Sequence, residues 1–248
     1  MPRLIPFRLA AACALALVLS LPFAASAVAK VSADLRVVGK GGKLLTEQTL
    51  RTGTTAIKTS KQAKCFGAES AGSGRSVTVD GATAMGLLGQ AAKSTAALRP
   101  LLITDAFDFG LGICGVGGDV VSGKASWYLK VNHKGATVGG DAVKLKPGDE
   151  VLWSYAPSYP YPNELALEAP DSALGGVPFE VRVFSYDEKG KRKPVAGATV
   201  TGASGPTGAD GRATVTLTAS AALRAKHGKD IPSPLESVCI GVACPIND

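Results

Sequence analysis

The chain has 248 residues, of which 46% are hydrophobic and 19% are charged, and its formal net charge at pH 7 is +7. This positive excess is small for the length and its lysines are scattered, so the composition argues against a nucleic-acid partner. A short basic cluster at residues 189–193 is typical of a solvated hairpin tip.

The amino terminus has the pattern of a secretory signal peptide. Arg3 and Arg8 provide a basic start, an apolar run covers residues 9–21, and a cleavage motif of small residues ends at Ala27. We therefore predict that residues 1–27 are removed and that the mature chain is secreted and extracellular.

Two alternatives for this segment stay open. The first is an uncleaved membrane anchor, although Ser20 and Pro22 interrupt the run and leave it shorter than the roughly 20 apolar residues that a membrane span needs. The second is lipid attachment at Cys13, although this cysteine precedes the end of the apolar run. No second apolar stretch of that length follows, so the mature chain is not expected to span a membrane.

Four cysteines would remain after cleavage: Cys65, Cys114, Cys239 and Cys244. An even number in an exported chain predicts disulfides, and four cysteines allow three pairings. The division into two modules given below favours Cys65–Cys114 and Cys239–Cys244. A zinc site is poorly supported because the C-x4-C spacing has no C-x2-C partner, and we expect no metal.

The first predicted module, residues 28–156, opens with a hairpin whose strands cover residues 34–38 and 43–51 around a glycine-rich turn. Apolar residues then recur at helical spacing within residues 80–93. Asp80 or Thr83 is available to cap the first turn, so this segment predicts one short amphipathic helix.

Two further strands are predicted in this module, at residues 125–132 and 150–155, and both alternate apolar with polar residues. Trp127 lies on the buried face of the first strand, and Trp153 and Tyr155 share the buried face of the second. The order hairpin, helix, strands predicts an α+β domain with one main helix across a curled sheet.

Residues 83–88, 123–132 and 147–153 resemble the transcobalamin-like C-terminal β-domain, which also occurs in bacterial secreted proteins of unknown function. The resemblance covers about half of the chain and implies a β-grasp-like fold. In vertebrate carriers the related domain covers one face of a corrinoid beside a large helical domain. This sequence contains no such helical domain, so the resemblance implies the fold more directly than a corrinoid ligand.

A linker rich in proline and tyrosine, residues 157–163, is predicted to lead into a second module at residues 164–248. Short alternating strands at residues 177–184, 194–200 and 212–217, separated by Gly, Pro and Asp turns, predict an all-β sandwich. These segments resemble bacterial immunoglobulin-like or carboxypeptidase-regulatory-like modules, most of which act as spacers or contact surfaces.

Catalytic patterns are weak along the whole chain. Residues 110–115 match G-x-G-x-x-G, but no helix follows, so we interpret them as a glycine-rich turn held by a disulfide and expect no nucleotide or other cofactor. Asp105, Asp108 and the pair Asp149 and Glu150 are more typical of turn capping than of acid–base chemistry. His133 and His227 have no recognisable nucleophile beside them.

An aromatic set is the best candidate for a ligand site, because aromatic side chains near prolines form good binding platforms. Tyr128, Tyr159 and Tyr161 are the preferred surface positions; the full set is Trp127, Tyr128, Trp153, Tyr155, Tyr159 and Tyr161. We predict a non-catalytic binding or adaptor protein for an unknown ligand or cell-surface component. A structural cell-envelope spacer and an unrecognised hydrolase, using Asp105, Asp108 or His133, are the alternatives.

Overall fold

The computed structural model describes residues 30–241. The predicted signal peptide, its cleavage site and Cys244 lie outside the described residues. We call residues 30–156 the first module and residues 164–241 the second module. Within this range no helix is both long and apolar enough to cross a lipid bilayer.

The first module contains one helix and ten strands: β1 (Val31–Val38), β2 (Leu44–Thr52), β3 (Thr55–Lys58), β4 (Ser76–Val79), α1 (Ala84–Ser94), β5 (Leu101–Phe107), β6 (Gly110–Val116), β7 (Asp119–Val120), β8 (Ser126–Val131), β9 (Lys134–Gly135) and β10 (Glu150–Ala156). Three short 3₁₀ segments, Lys40–Gly42, Ala68–Ser70 and Ala96–Leu98, complete it. The second module contains nine strands: β11 (Glu164–Glu168), β12 (Ser172–Ala173), β13 (Phe179–Tyr186), β14 (Arg192–Pro194), β15 (Thr199–Val200), β16 (Arg212–Val215), β17 (Ala221–Leu223), β18 (Ala225–Lys226) and β19 (Glu236–Ile240).

A five-stranded sheet in the order β2-β1-β10-β8-β9 is the centre of the first module. The hairpin β1–β2 and the pair β8–β10 are antiparallel, whereas β1 and β10 run parallel in the middle of the sheet. Since successive side chains of a strand point to opposite faces, Leu35 and Val37 enter the apolar core while Asp34 and Arg36 lie on the other face.

The helix α1 covers the core face of this sheet. The Thr83 hydroxyl caps it by accepting a hydrogen bond from the Gly86 N–H at 3.0 Å. Gly89 lets the helix approach β3 closely, because a Cβ at this position would lie 2.9 Å from Ile57 Cγ1. A short helix with two internal glycines is stabilised mainly by this packing.

The second module has its own apolar core, which is formed by buried residues of its strands together with Val195 and Ala198. Its strands are distributed over three small sheets. The first has the order β11-β13-β14, with β16 also paired to β13, the second has the order β12-β19-β17, and the third is the pair β15-β18. The strands other than β13 have two to five residues, because glycine, proline and polar turns interrupt the chain repeatedly.

The predicted fold class, a β-grasp-like α+β domain followed by an immunoglobulin-like sandwich, is wrong. The described chain is 44% strand and 9% helical, with one α-helix and several small sheets, and it is an all-β fold. The prediction gave the single helix too much weight, since α1 has only 11 residues. It also combined the short strands of the second module into one sandwich, whereas they form separate small sheets.

The predicted glycine-rich turn at residues 110–115 is also wrong, because Gly110–Val116 is the strand β6 and pairs with β5. The turn follows it, at Gly117 and Gly118, where both backbones have positive φ. The disulfide Cys65–Cys114 is confirmed, and it ties β6 to the segment that precedes the Ala68–Ser70 turn. Cys239 is also disulfide-bonded.

We expect the Cys65–Cys114 bond to contribute about 4 kcal/mol to stability, since it restricts a long loop of the unfolded chain. Its cysteines are 49 positions apart. The double variant Cys65→Ser/Cys114→Ser should show this loss in guanidinium unfolding. The matched control Cys239→Ser/Cys244→Ser would open a far shorter predicted loop and should lose only about 2 kcal/mol. Equal losses in the two variants would contradict the loop-length argument.

Candidate functional site

The outer face of the five-stranded sheet, opposite α1, packs against the second module. Val38 and Leu152 on this face form an apolar contact with Ile231 of the second module, and all three are buried. The sheet is therefore covered on both sides over part of its area, by α1 on one side and by the second module on the other.

A buried ion cluster lies beside this apolar contact. Glu164 Oε1 accepts a hydrogen bond from Arg36 Nη2 at 2.5 Å, and Arg36 also donates to the Pro232 carbonyl. Lys130 Nζ lies 3.7 Å from Glu164 Oε2 and donates to the carbonyls of Tyr186 and Asp187 at 2.9 and 3.1 Å. Because Arg36 and Lys130 belong to the first module and Glu164 to the second, the cluster joins the two.

Burial dominates the electrostatics of this cluster. It lowers the pKa of Arg36 and of Lys130, and the negative charge of Glu164 opposes both shifts. Burial acts to raise the pKa of Glu164, but His133, Arg36 and Lys130 together outweigh it, so the pKa of Glu164 lies below its ordinary value. Glu164 is therefore held as a carboxylate by the cations around it.

His133 reaches the cluster from the β8–β9 turn. Asn132 and His133 both have positive φ, at 49° and 68°, a left-handed conformation that few residues other than glycine adopt. The Asn132 side chain fixes the turn by donating to Asp149 and by accepting from the Glu150 N–H, each at 2.9 Å. The turn places the imidazole Nδ1 3.3 Å from Glu164 Oε2 and Nε2 3.6 Å from Glu150 Oε2, with its ring stacked on Tyr186.

The part of the outer face that the second module leaves open forms a cleft of about 590 Å³, which we call the junction cleft. One wall is the sheet and the other is the segment 234–237 together with Glu164. Five carboxylates line the cleft, but only one arginine and one histidine do. The carboxylates are Asp34, Glu47, Glu150, Glu164 and Glu236, and the basic residues are Arg36 and His133. The cleft is therefore acidic although the chain as a whole is basic.

Two of these carboxylates differ sharply in their partners. Glu47 accepts from the Leu235 N–H at 3.0 Å and from Arg224 Nη2 at 2.7 Å, so both of its oxygens are engaged. The side chain of Glu236 has no hydrogen bond or ion pair among residues 30–241. Burial, together with the charges of Glu47, Glu150 and Asp171, raises the pKa of Glu236. Glu236 is therefore a partly buried carboxylate without a counter-ion.

The predicted aromatic set divides into two groups. Trp127 and Trp153 lie in the core of the first module, where their indole N–H groups donate to the carbonyls of Asp119 and Ala84 at 3.2 and 3.3 Å. Tyr155 packs on the same core, edge-to-face against Trp127 with 5.9 Å between ring centroids. These three residues serve packing on the core face of the sheet.

Tyr128, Tyr159 and Tyr161 form the second group, on the opposite face of the sheet. Tyr161 stacks on Tyr128 with 4.0 Å between centroids and contacts Tyr159 edge-to-face at 5.6 Å. Burial, followed by the effects of Glu188 and Tyr161, raises the pKa of Tyr128 to about 12. Only Tyr159, with 73% of its surface exposed, is freely open to a ligand.

The acidic residues and histidines considered for the hydrolase alternative have different hydrogen-bond partners. Asp105 accepts from the backbone and hydroxyl of Ser73, both at 2.6 Å, and these bonds lower the pKa of Asp105. Asp108 lies with Asp105 in a second acidic cleft of about 360 Å³. His227 pairs with Asp230 at 2.8 Å in the second module. Among the described residues, neither His133 nor His227 hydrogen bonds to a serine, threonine or cysteine side chain.

Sequence reasoning missed the charged residues of the junction cleft, namely Arg36, Glu47, Glu164 and Glu236. A signal was present in β1, where a charged residue alternates with leucine and valine. The usual meaning of such alternation is that the charged face is exposed to solvent. Nothing in the sequence near Glu164 or Glu236 indicates that the second module covers that face.

Comparison of the chain with known protein-family models and with curated proteins finds no match in either case.

We expect Glu164→Ala to destabilise the protein by about 3–5 kcal/mol, because it leaves Arg36 and Lys130 buried without their counter-ion. Glu168→Ala is the matched control. It removes a carboxylate from the same strand whose partner, Arg192, is exposed, and it should cost less than about 1 kcal/mol. Urea unfolding at pH 7 measures both.

The effect of Glu164 should also depend on pH. Folding lowers its pKa, so its contribution is present above the ordinary value of 4.5 and is lost as pH falls through the lower pKa of the folded state. The gap between wild type and Glu164→Ala should therefore narrow in acid; a gap that stays constant below pH 4.5 would count against this linkage.

Unlike Glu164→Ala, the variant Glu236→Gln should stabilise the folded protein at pH 7. Folding raises the pKa of Glu236, so the wild type loses stability as pH rises from 4.5 through the raised pKa. The variant should melt above wild type at pH 7, and the difference should vanish well below pH 4.5. Glu69→Gln, which removes an exposed carboxylate outside the cleft, should leave the melting temperature unchanged at both pH values. A lower melting temperature for Glu236→Gln at pH 7 would refute the charge-repulsion account.

Proposed function

We propose that the protein is an exported, non-catalytic binding or adaptor protein that holds its ligand in the junction cleft. The observation that carries this proposal is the cleft itself, about 590 Å³ in volume and bounded by both modules. This volume is in the range of clefts that bind small ligands, and such sites occur preferentially where two domains meet.

The walls of the cleft support binding by a preformed site. The ion cluster and the apolar contact of Val38, Leu152 and Ile231 hold the two modules in one arrangement. A ligand would therefore meet groups that are already positioned, and little ordering entropy would oppose binding.

The chemistry of the cleft supports a role other than catalysis. His133 has carboxylates on both ring nitrogens and an aromatic ring against its face. An imidazole that activates a nucleophile needs one nitrogen on that nucleophile and the other on an orienting group. The contacts of His133 fit the structural task of joining Glu150 to Glu164.

Export is supported by two features: the basic and apolar amino-terminal pattern, and the Cys65–Cys114 disulfide, a bond typical of oxidising compartments. The resemblance of residues 123–132 and 147–153 to the transcobalamin-like domain makes a corrinoid one of the ligands to test.

A structural spacer is the second candidate function, and the fixed arrangement of the modules favours it. The stacking of Tyr161 on Tyr128 attaches the linker to the sheet, in addition to the contacts between the two modules. Together these contacts favour a fixed spacing of the modules. A spacer requires this rigidity but no occupant of the cleft.

A ligand screen separates the two functions. A ligand present at 100 times its dissociation constant stabilises the folded state by about 2.7 kcal/mol, which raises the melting temperature of a chain of this size by about 5–10 °C. We expect such a shift from at least one member of a panel that includes cyanocobalamin, a chito-oligosaccharide, simple amines and short peptides.

Thr49→Trp should abolish the shift, because Thr49 lines the cleft and an indole there would fill it. The matched control Thr214→Trp places an indole at an exposed position of β16 and should retain the shift. Absence of any shift would favour the spacer, and a shift that survives Thr49→Trp would place the ligand elsewhere.

A further inference from the structure

The junction cleft has unbalanced negative charge, and this indicates the class of its ligand. Of its two basic side chains, Arg36 is used by Glu164 and Pro232, and His133 lies between two carboxylates. Arg224 neutralises Glu47 from beside the cleft. Within residues 30–241, Glu236 is left without a counter-ion, and the only hydrogen bond of the Asp34 side chain comes from the neutral hydroxyl of Thr49.

A second observation is independent of this charge count. Glu164 lines the cleft, and only 3% of its surface is exposed. Its Oε2 atom makes no hydrogen bond of good geometry: Lys130 Nζ lies 3.7 Å away, and His133 Nδ1, which is itself unsatisfied, lies 3.3 Å away. A carboxylate oxygen accepts more than one hydrogen bond, and these two neighbours lie too far away for strong ones, so Oε2 keeps acceptor capacity for a donor that enters the cleft.

The shape of the acidic surface favours an organic cation over a metal ion. Within residues 30–241 no three His, Cys, Asp or Glu side chains are grouped closely enough to hold a metal ion. The carboxylates are spread along the cleft, and apolar surface from Pro234 and Leu235 lies among them. Leu235 is 44% exposed although it is large and apolar. A cationic head on an aliphatic stem matches both surfaces.

We infer that the junction cleft binds a primary alkylammonium group, whose ammonium is held among Glu236, Glu150 and Glu164 and whose stem lies on Pro234 and Leu235. This inference rests on the proposed function and names the ligand class of the same site. Two sources carry this chemistry: a free polyamine and a lysine side chain of a peptide.

The raised pKa of Glu236 agrees with this assignment. An ammonium beside the carboxylate would favour its charged form and lower the pKa of Glu236 towards the ordinary value. The charged groups around Glu236 are the carboxylates of Asp34, Glu47, Glu150 and Asp171 and the side chains of Arg36, Arg224 and His133.

Isothermal titration of the whole protein tests the inference. Cadaverine and tri-lysine are the probes, 1,5-pentanediol is the uncharged match for cadaverine, and 0.15 M NaCl screens attraction between distant charges. We expect saturable binding of at least one amine and none of the diol. Tighter binding of tri-lysine identifies a peptide lysine as the ligand, and tighter binding of cadaverine identifies a free polyamine.

Variants localise the binding. Glu236→Gln should weaken amine affinity about tenfold, the loss expected for a hydrogen bond to a charged group. Glu69→Gln changes the total charge equally outside the cleft and should leave the affinity within about twofold. Because Glu236→Gln is expected to be at least as stable as wild type at pH 7, weaker binding would not reflect unfolding.

Three results would overturn the inference: no amine binding at millimolar concentration, equal binding of the diol, or unchanged affinity in Glu236→Gln. The broader proposal, that the cleft binds a ligand, is tested separately. If cyanocobalamin, an oligosaccharide or a neutral peptide binds and Thr49→Trp abolishes that binding, the cleft is a ligand site for another class of molecule. If nothing binds, both the inference and the binding function fail.

Discussion

The contact of Glu164 with Arg36 and Lys130 is the constraint on which the arrangement of the two modules depends. Each of these residues is at least nine-tenths buried, and the three come from both modules. Charges in such a position are tolerated only when they are paired, so the second module cannot move away from the sheet without separating them. The apolar contact around Ile231 adds buried area to the interface, whereas the ion cluster determines how the second module is oriented on the sheet.

The same constraint creates the open part of the interface. Three rows of side chains on the outer face of the sheet alternate with the core residues of β1, β10 and β8. The second module covers one end of these rows, near Val38 and Leu152, and leaves Asp34 and Glu150 at the other end facing a gap. Glu47 lies between the two ends and is held by Arg224 and Leu235 of the second module. His133 closes one side of this gap because the β8–β9 turn holds it in a left-handed conformation. The contact between the modules and the junction cleft are thus two parts of the same outer face of the sheet.

Local features of the fold could be predicted from the sequence. The β1–β2 hairpin, the position of α1 with Thr83 as its cap, and the opposite faces of Trp127 and Tyr128 depend on residues a few positions apart. The Cys65–Cys114 bond could be predicted because export predicts disulfides and the division into two modules favours this pairing. The fold class was predicted wrongly, since how short strands group into sheets depends on contacts between distant segments.

The candidate site could not be predicted for the same reason. Arg36 and Glu164 are 128 positions apart, and Glu47 and Leu235 are 188 positions apart. No local pattern reports that such residues meet. The tyrosine cluster was within reach of sequence reasoning because Tyr159 and Tyr161 follow β10 directly, yet two of its three rings are used to attach the linker to the sheet.

The parallel pairing of β1 and β10 has a mechanical consequence. The two strands are in register from Asp34 opposite Glu150 to Val38 opposite Ser154, and β10 leads directly into the linker. A tension that enters at the start of β1 and leaves at the end of β10 would slide the strands along each other, and all of their hydrogen bonds would carry the load together. Strands loaded in this shearing direction resist extension far better than a hairpin that opens one bond at a time, so the first module is built to withstand pulling along the chain.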